Sequence, residues 1–243
     1  MQPAQDQKQA DHGVSEQDAV RVRYARREGN VGRYLFTDPA VYMSAQERER
    51  MLIRWLVDWS GFDSVSESRL LEIGCGSGAN LMQMMKFGFR PENLVGNELL
   101  ESRFEAARLQ LPAVVKLLAG DASMLDIEPG SFDVVYQSTV FTSLLDSAFQ
   151  DRLAARMWEW VRPGGGVLWY DFIYDNPRNP DVRGVPLRRI RTLFPGGEIM
   201  FKRLTLAPPI ARIVTRAHPR FYDLFNLLPQ LRTHVLCWIA KRP

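Results

Sequence analysis

The sequence predicts a doubly wound α/β fold, and two patterns along the chain indicate it. Short apolar runs alternate with helical segments from residue 69 to residue 172. This spacing is typical of right-handed βαβ crossovers and of a mostly parallel sheet covered by helices on both faces. A glycine-rich turn also lies between the first apolar run and the first of these helices, where open α/β sheets bind ligands.

The predicted elements follow from the apolar runs and from their flanking glycines and prolines. Strands are expected at 69–73, 93–98, 114–119, 132–137 and 167–172, and the first of them is expected to be buried. Helices are expected at 79–87, 99–110, 147–161 and 187–194. Two further strands, 198–206 and 234–240, are separated by a helical stretch, 210–228, within an insert over 207–230. At the end of a parallel sheet such a pair is expected to run antiparallel along one edge.

The chain divides into an N-terminal arm, 1–43, and a single domain, 44–243. Basic and aromatic residues alternate along the arm without a clean helical period, so we expect it to be partly disordered and to act as a lid. Tyr24 and Tyr34 are its candidate substrate contacts. Ser44 and Glu47 have the spacing of a capping box, which predicts that the first core helix begins at residue 44.

Composition excludes several classes of protein. Hydrophobic residues make up 46% and charged residues 24% of the chain, which is enough to bury a core without crosslinks. The two cysteines, Cys75 and Cys237, form neither a disulfide framework nor a zinc motif. No apolar run approaches the ~18 residues that a membrane span needs, and residues 1–18 lack the apolar stretch of a secretory signal. We therefore expect a cytoplasmic protein without a metal site.

Charge is distributed unevenly along the chain. The formal net charge is +3, which does not indicate nucleic-acid binding. Between residues 178 and 220, however, the sequence contains ten Lys or Arg residues and only two acidic residues. A solvated basic face explains this excess, and so does a site for an anionic acceptor. Arg183 and Arg188 follow the fifth strand and are our candidates for contacts with a phosphate or carboxylate.

The glycine-rich turn is the strongest signal in the sequence. Residues 71–80 read LEIGCGSGAN, with glycines at alternate positions, and such glycines permit positive φ and a close approach of a ligand to the backbone. The dinucleotide fingerprint that ends in alanine also fits, with Ala79 in its last position, so glycine spacing alone leaves a dehydrogenase open. The phosphate-binding loop of NTPases is absent, because no lysine follows at the required position.

Carboxylates follow the next two strands. Glu98 ends the second strand, where an acid can accept hydrogen bonds from both ribose hydroxyls of a nucleoside. Asp121 follows the third strand within Gly-Asp-Ala and can accept from an exocyclic adenine amine. A surface helix-capping glutamate is the alternative interpretation of Glu98.

These motifs resemble those of the class I S-adenosylmethionine-dependent methyltransferases. The resemblance covers about 70–172 and includes the strand FDVV at 132–135 and the turn RPGGG at 162–166. It implies a seven-stranded sheet of order 3-2-1-4-5-7-6 in which only strand seven is antiparallel. It also implies S-adenosylmethionine as cofactor, bound by Glu72, Gly74, Cys75, Gly76, Gly78, Asn80, Glu98, Leu99, Asp121, Ala122, Gln137 and Ser138.

Methyl transfer from a sulfonium is an in-line displacement that needs alignment and a dry pocket. A hydroxyl acceptor also needs a base, whereas an amine or thioether needs only a neutral lone pair. The candidate bases are Asp171, His218 and His234. Each has a structural alternative: Asp171 can hold a loop amide, His218 can lie on a solvated helix, and His234 can cap an edge strand. Phe141, just beyond strand four, is expected to line the acceptor cleft.

The favoured function is O-methylation of a hydroxyl on a small molecule or sugar. N- or S-methylation of a metabolite remains open. So does a macromolecular acceptor, RNA or a lipid-linked glycan, because Arg212, Arg216 and Arg220 lie among apolar residues in a pattern compatible with an interfacial helix. Under the favoured function we expect no nucleic-acid partner, since the Pro-Pro-aromatic turn of nucleic-acid amino-methylating enzymes is missing. A cofactor-binding protein without catalysis is the third hypothesis.

Overall fold

The computed structural model describes residues 15–26, 35–177 and 179–243. Its strands are β1 Leu70–Ile73, β2 Leu94–Glu98, β3 Lys116–Ala119, β4 Phe132–Ser138, β5 Val161–Phe172, β6 Glu198–Leu206 and β7 Arg232–Ala240. Its α-helices are α1 Glu16–Ala25, α2 Pro39–Arg54, α3 Ala79–Lys86, α4 Glu101–Gln110, α5 Ser147–Trp160, α6 Leu187–Leu193, α7 Pro208–Ala217 and α8 Phe221–Asn226.

The strands form one sheet of order β3-β2-β1-β4-β5-β7-β6. The pairs from β3 through β5 are parallel, and β7 runs antiparallel to both β5 and β6. The fold class and the strand order that the resemblance implies are therefore confirmed, and so is the antiparallel pair at the edge. Because the parallel strands end at one edge, the turns after β1, β2, β3 and β4 meet there.

Two apolar layers cover the sheet. On one face the strands pack against α1, α5 and α6, with Trp169 and Phe141 at the centre of that layer. On the other face they pack against α2, α3 and α4, where Trp55 lies 5.4 Å from Trp238 between ring centroids. The strands inside the sheet are largely apolar because both of their faces are buried, whereas the edge strands β3 and β6 are partly exposed.

The first core helix differs from the prediction. α2 begins at Pro39, and the Asp38 side chain accepts a hydrogen bond from the Ala40 amide at 2.9 Å. Ser44 lies inside the helix and donates to the Val41 carbonyl at 2.9 Å, so the predicted capping box is wrong. An aspartate cap followed by proline is a stronger helix start than the later serine. Beyond Arg54 the helix continues as a π-helical turn, Trp55–Trp59.

The C-terminal elements differ from the prediction mainly in their bounds. β5 begins at Val161, earlier than the predicted start at residue 167, so the glycines at 164–166 lie within the strand. Gly166 must lack a side chain there, because a Cβ would lie 2.6 Å from Trp238. The helical insert splits into α7 and α8 around His218 and Pro219. None of the helices in the described ranges has the length and apolarity to cross a bilayer.

Candidate functional site

A cavity opens at the carboxyl edge of the sheet, where β1 to β4 end. It measures about 740 Å³ with its mouth included. Its walls come from those strand ends and from α1. Six of the residues predicted to bind the cofactor line it: Gly74, Glu98, Leu99, Asp121, Ala122 and Ser138. The sequence motifs therefore converge on one site, as their places at consecutive strand ends predict.

The glycine-rich turn leaves bare backbone beside this cavity. Gly76 has φ +58°, and a Cβ there would meet no atom within 4 Å. Gly78 has φ +90° and precedes α3, and a Cβ there would lie 2.7 Å from Leu111. Gly78 is therefore required by conformation and packing. Gly76 instead opens the backbone to a ligand.

Glu98 is fixed in the cavity wall by two backbone donors. Its Oε2 accepts from the Gly76 amide and its Oε1 from the Leu100 amide, both at 2.8 Å. The side chain is buried, at 6% exposure. An ionised carboxylate offers about four acceptor positions, so lone pairs remain for a ligand hydroxyl. The ribose role of Glu98 stays a prediction, and its carboxylate already lies in the cavity wall.

Asp121 lies across the cavity at the end of β3. Its Oδ1 accepts from the Ser123 amide at 2.9 Å, and its Oδ2 accepts from the Ser123 hydroxyl at 2.8 Å. Oδ2 also accepts a hydrogen bond from the side-chain amide of Gln17, which lies on α1. The carboxylate predicted to bind adenine is thus in contact with the protein's own N-terminal helix.

α1 covers the cavity and is held by a buried ion pair. Glu16 pairs with Arg23, and both side chains are 9% exposed. Glu16 also accepts from the Leu145 amide at 2.7 Å, and Arg23 donates to the Ser143 carbonyl at 2.9 Å. Tyr24, predicted to contact substrate, lines the same cavity. This part of the arm therefore lies over the cavity that the predicted cofactor residues line.

A second polar group lies on the opposite face of the sheet, where α2 packs. We call it the α2 cluster; it consists of Arg48, Glu72, Asn80, Tyr136 and Tyr170. Arg48 donates to Asn80 Oδ1 at 3.2 Å, and its guanidinium carbon lies 5.3 Å from the Tyr170 ring centroid. It also reaches Ser138 Oγ at 3.5 Å. Ser138 lines the cavity, so the α2 cluster and the cavity share this residue.

The α2 cluster contains buried polar atoms without partners. Glu72 is fully buried; its Oε1 accepts from Asn80 Nδ2 at 2.6 Å, whereas its Oε2 has no partner among the described residues. Burial raises the pKa of Glu72 to about 8. The Tyr136 hydroxyl and Arg48 Nε likewise have none in the described part of the chain. Burial raises the pKa of Tyr136 to about 12.

Sequence reasoning missed Arg48. It assigned residues 44–47 to a helix start and left Arg48 among the polar residues of the next turn. A signal was present, because Arg48, Met51, Leu52 and Trp55 have the i, i+3, i+4, i+7 spacing of one helix face. A lone arginine on an apolar face indicates a buried charge with a specific partner or ligand.

The structure does not support Asp171 as the base. It is fully buried, and its Oδ1 accepts from Thr142 Oγ1 at 2.7 Å and from the Phe172 amide at 2.9 Å. Its Oδ2 accepts from the Thr142 amide at 3.2 Å. Burial raises its pKa to about 7, yet it does not line the cavity. The carboxylate holds the loop after β4.

Neither histidine reaches the cavity. His218 is exposed after α7, where its Nδ1 accepts from the Arg220 amide at 3.2 Å. His234 is 5% exposed and stacks on Tyr170 with 5.1 Å between ring centroids. Burial lowers its pKa to about 3, so it is neutral at physiological pH. His218 therefore follows a helix instead of lying on it, and His234 lies within β7, between β5 and β6, instead of capping an edge strand.

The predicted acceptor contacts are dispersed. Phe141 is fully buried and packs on Trp169, with 4.5 Å between ring centroids, so it is a core residue and not a cleft residue. Arg183 donates to Ser147 Oγ at 3.0 Å, and Arg188 is exposed on α6; neither lines the cavity. Tyr34 lies outside the described residues.

Two predicted cofactor residues act through the scaffold. Cys75 is buried, its amide donates to the Asn97 carbonyl at 2.9 Å, and burial raises the pKa of its thiol. Gln137 is fully buried, and its Oε1 accepts from the Val140 amide at 3.1 Å. Both residues shape the turns that line the cavity. Among the described residues, no group of His, Cys, Asp or Glu is arranged to hold a metal ion.

The site fits the S-adenosylmethionine that the resemblance implies. Gly76 leaves room beside its backbone for a ligand, and carboxylates at the next two strand ends, Glu98 and Asp121, face the cavity. An unpartnered oxygen of Glu72 lies in the strand that leads into the glycine turn. These hydrogen-bond acceptors suit a ligand with ribose hydroxyls and amino groups.

Comparisons with known proteins agree with this geometry. Residues 71–169 match a family described as "Methyltransferase domain". The comparison with curated proteins found no match.

Several solved structures share the fold. A Mesorhizobium loti S-adenosylmethionine-dependent methyltransferase is 17% identical, with TM-score 0.56, covering 77% of this chain and 97% of that one. Haemonchus contortus phosphoethanolamine N-methyltransferase 2, in complex with S-adenosyl-L-methionine, is 17% identical, with TM-score 0.64, covering 96% and 61%. Streptomyces coelicolor geranyl diphosphate C-methyltransferase is 14% identical, with TM-score 0.58, covering 79% and 77%.

Proposed function

We propose that this chain, which belongs to the class I S-adenosylmethionine-dependent methyltransferases, methylates a small molecule. The oxygen of that molecule that receives the methyl group is already ionised. The observation that carries the proposal is Arg48, a half-buried cation with a buried Nε, at the boundary between the cavity and the α2 cluster. When bound, S-adenosylmethionine supplies the methyl group from its sulfonium. The residues of this chain align the acceptor and exclude water.

The cofactor is proposed to lie across the carboxyl edge of the sheet. Glu98 would accept from the ribose hydroxyls, and Asp121 with Ala122 would contact the adenine. Gly74 and Gly76 would lie beside the methionine part. The support for this arrangement is that all these groups line or border one cavity.

An ionised oxygen is favoured because none of the candidate bases in the described part of the chain lines the cavity. Transfer to a neutral hydroxyl needs a group that takes its proton. Asp171, His218 and His234 do not line the cavity, and the cavity carboxylates Glu98 and Asp121 already accept hydrogen bonds from the protein. A carboxylate or an acidic phenol needs no such base, because its lone pair is available at neutral pH.

Arg48 supplies the attraction for such an anion. Its guanidinium is charged at all physiological pH values, while the raised pKa of Glu72, about 8, leaves that neighbour mostly neutral at pH 7. A partly desolvated cation attracts an anion strongly, and Arg48 forms no ion pair with a carboxylate in the described part of the chain. The 3.5 Å contact with Ser138 places the guanidinium next to the cavity wall.

The first experiment is a search for acceptors. A metabolite extract is separated by anion exchange, and each fraction is incubated with the enzyme and methyl-labelled S-adenosylmethionine. We expect label in the retained, anionic fractions. Label confined to neutral or cationic fractions would reject the anionic acceptor, and no label in any fraction would favour a protein that binds the cofactor without turnover.

The second experiment tests Arg48 with the acceptor fraction so found. Arg48→Met should raise the acceptor KM by about tenfold or more, as expected for loss of a charged hydrogen bond, and Arg48→Lys should restore part of the loss. Arg50→Met is the matched control, because Arg50 lies on the same helix but is exposed. Affinity for S-adenosylhomocysteine, measured by calorimetry, should stay within twofold. An equal loss of that affinity would mean that Arg48 binds the cofactor instead.

A further inference from the structure

The insert formed by α7 and α8 is anchored by its inner face. The Glu47 carboxylate of α2 accepts from the Tyr222 hydroxyl at 2.7 Å and from Asn226 Nδ2 at 2.6 Å. It also accepts from the Thr205 amide at 2.9 Å. Tyr222 is fully buried. These contacts determine which side of the insert faces away from the protein.

The outer face of the insert is apolar. Its exposed side chains, with 38% to 70% of their surface accessible, are Ile213, Phe221, Leu224, Phe225, Leu227 and Leu228. Phe221, Leu224 and Phe225 have the i, i+3, i+4 spacing of one side of α8, and Leu227 and Leu228 follow the helix directly. Soluble monomers rarely expose so many large apolar side chains together, and such patches mark interaction surfaces.

The same face is positively charged. The insert, 207–230, contains three Arg residues and one acid, Asp223, and of the three Arg212 lies 3.6 Å from Asp38. Asp223 lies 3.8 Å from Arg50 of α2. Arg216 and Arg220 are exposed, and no carboxylate in the described ranges forms an ion pair with either. The outer face thus combines apolar side chains with uncompensated positive charge.

We propose that the outer face of the insert binds the surface of an anionic lipid bilayer. Its apolar side chains enter the boundary between headgroups and acyl chains, and Arg216 and Arg220 contact the lipid phosphates, as in amphipathic interfacial helices. A second copy of this chain fits less well, because two positive faces repel. A nucleic acid offers phosphates but leaves the six apolar side chains in water.

Vesicle co-sedimentation tests the proposal. The chain should partition onto vesicles of equal parts phosphatidylglycerol and phosphatidylcholine, more weakly onto phosphatidylcholine alone, and less at high salt. The double variant Leu224→Gln/Leu227→Gln should lose roughly tenfold or more of this partitioning on both vesicle types. Arg216→Gln/Arg220→Gln should lose about fivefold for each arginine on the anionic vesicles only.

Leu109→Gln on α4 is the matched control, because Leu109 is 83% exposed outside the insert; it should leave partitioning unchanged. Unchanged affinity for S-adenosylhomocysteine in every variant shows that the fold is intact. Absence of wild-type partitioning onto the anionic vesicles would overturn the proposal. So would a loss in Leu109→Gln equal to that of the apolar pair. A dimer that dissociates in Leu224→Gln/Leu227→Gln would instead assign the face to a second copy.

Discussion

The cavity and the α2 cluster lie on opposite faces of the same sheet edge. They differ in how completely their polar groups are hydrogen-bonded. In the cavity, Glu98 accepts from two backbone amides and Asp121 accepts from Ser123 and Gln17. In the α2 cluster, Glu72 keeps one oxygen without a partner and the Tyr136 hydroxyl has none among the described residues.

The difference teaches what each region is prepared to do. Carboxylates held by backbone donors have a fixed orientation, so the cavity is prepared for a ligand that donates hydrogen bonds. A buried polar group without a hydrogen-bond partner lowers the free energy of unfolding. The α2 cluster is therefore the region where a ligand or an ordered water contributes most, and where ionisation depends most on burial.

The largest expected effect concerns the α2 cluster. Burial raises the pKa of Glu72 from 4.5 to about 8, so the unfolded chain releases this proton at lower pH than the folded chain. The contribution of Glu72 to the free energy of unfolding is fully present below pH 4.5 and is lost as the pH rises to 8. The free energy of unfolding falls by about 1.4 kcal/mol per pH unit in this window and by a few kcal/mol in all. Glu72→Gln should flatten the decline of the free energy of unfolding in this window.

Urea unfolding at several pH values, without cofactor, measures this effect. Glu101→Gln changes an exposed carboxylate at the start of α4 and should leave the slope unchanged. If Glu72→Gln keeps the wild-type slope, Glu72 is ionised and paired with Arg48, and the contrast between the two regions disappears.

The next effect concerns the cavity. Glu98→Ala should lower the affinity for S-adenosylhomocysteine by about a hundredfold or more, because each hydrogen bond to a charged group contributes about 1.5–3 kcal/mol. The substitution also leaves the Gly76 and Leu100 amides without their acceptor. Isothermal titration calorimetry gives the comparison with wild type and with Glu101→Ala. An affinity within threefold of wild type would remove Glu98 from the binding site.

The smallest effect concerns α1. Gln17 donates to Asp121, so an adenine amine must displace or share this hydrogen bond. Gln17→Ala should therefore raise the affinity for S-adenosylhomocysteine by roughly fivefold, the equivalent of one neutral hydrogen bond. Arg21→Ala, at an exposed position of the same helix, should have no effect. A weaker affinity in Gln17→Ala would show that Gln17 contacts the ligand itself.

The sequence by itself determined the sheet and the cavity. Each strand of the parallel sheet is one apolar run, and Gly76, Glu98 and Asp121 each lie within a few residues of a strand end. Because parallel strands end at one edge, local motifs converge without knowledge of distant contacts. The order of the strands followed from the family resemblance.

Only the tertiary structure decided the roles of Arg48, Asp171 and His234, and the placement of α1. Arg48 and Glu72 are 24 residues apart in the chain, and Gln17 lies 104 residues from Asp121. Whether a polar side chain is a base, a ligand contact or a scaffold hydrogen bond depends on burial and on partners from other elements. These are properties of packing, and a local pattern does not contain them.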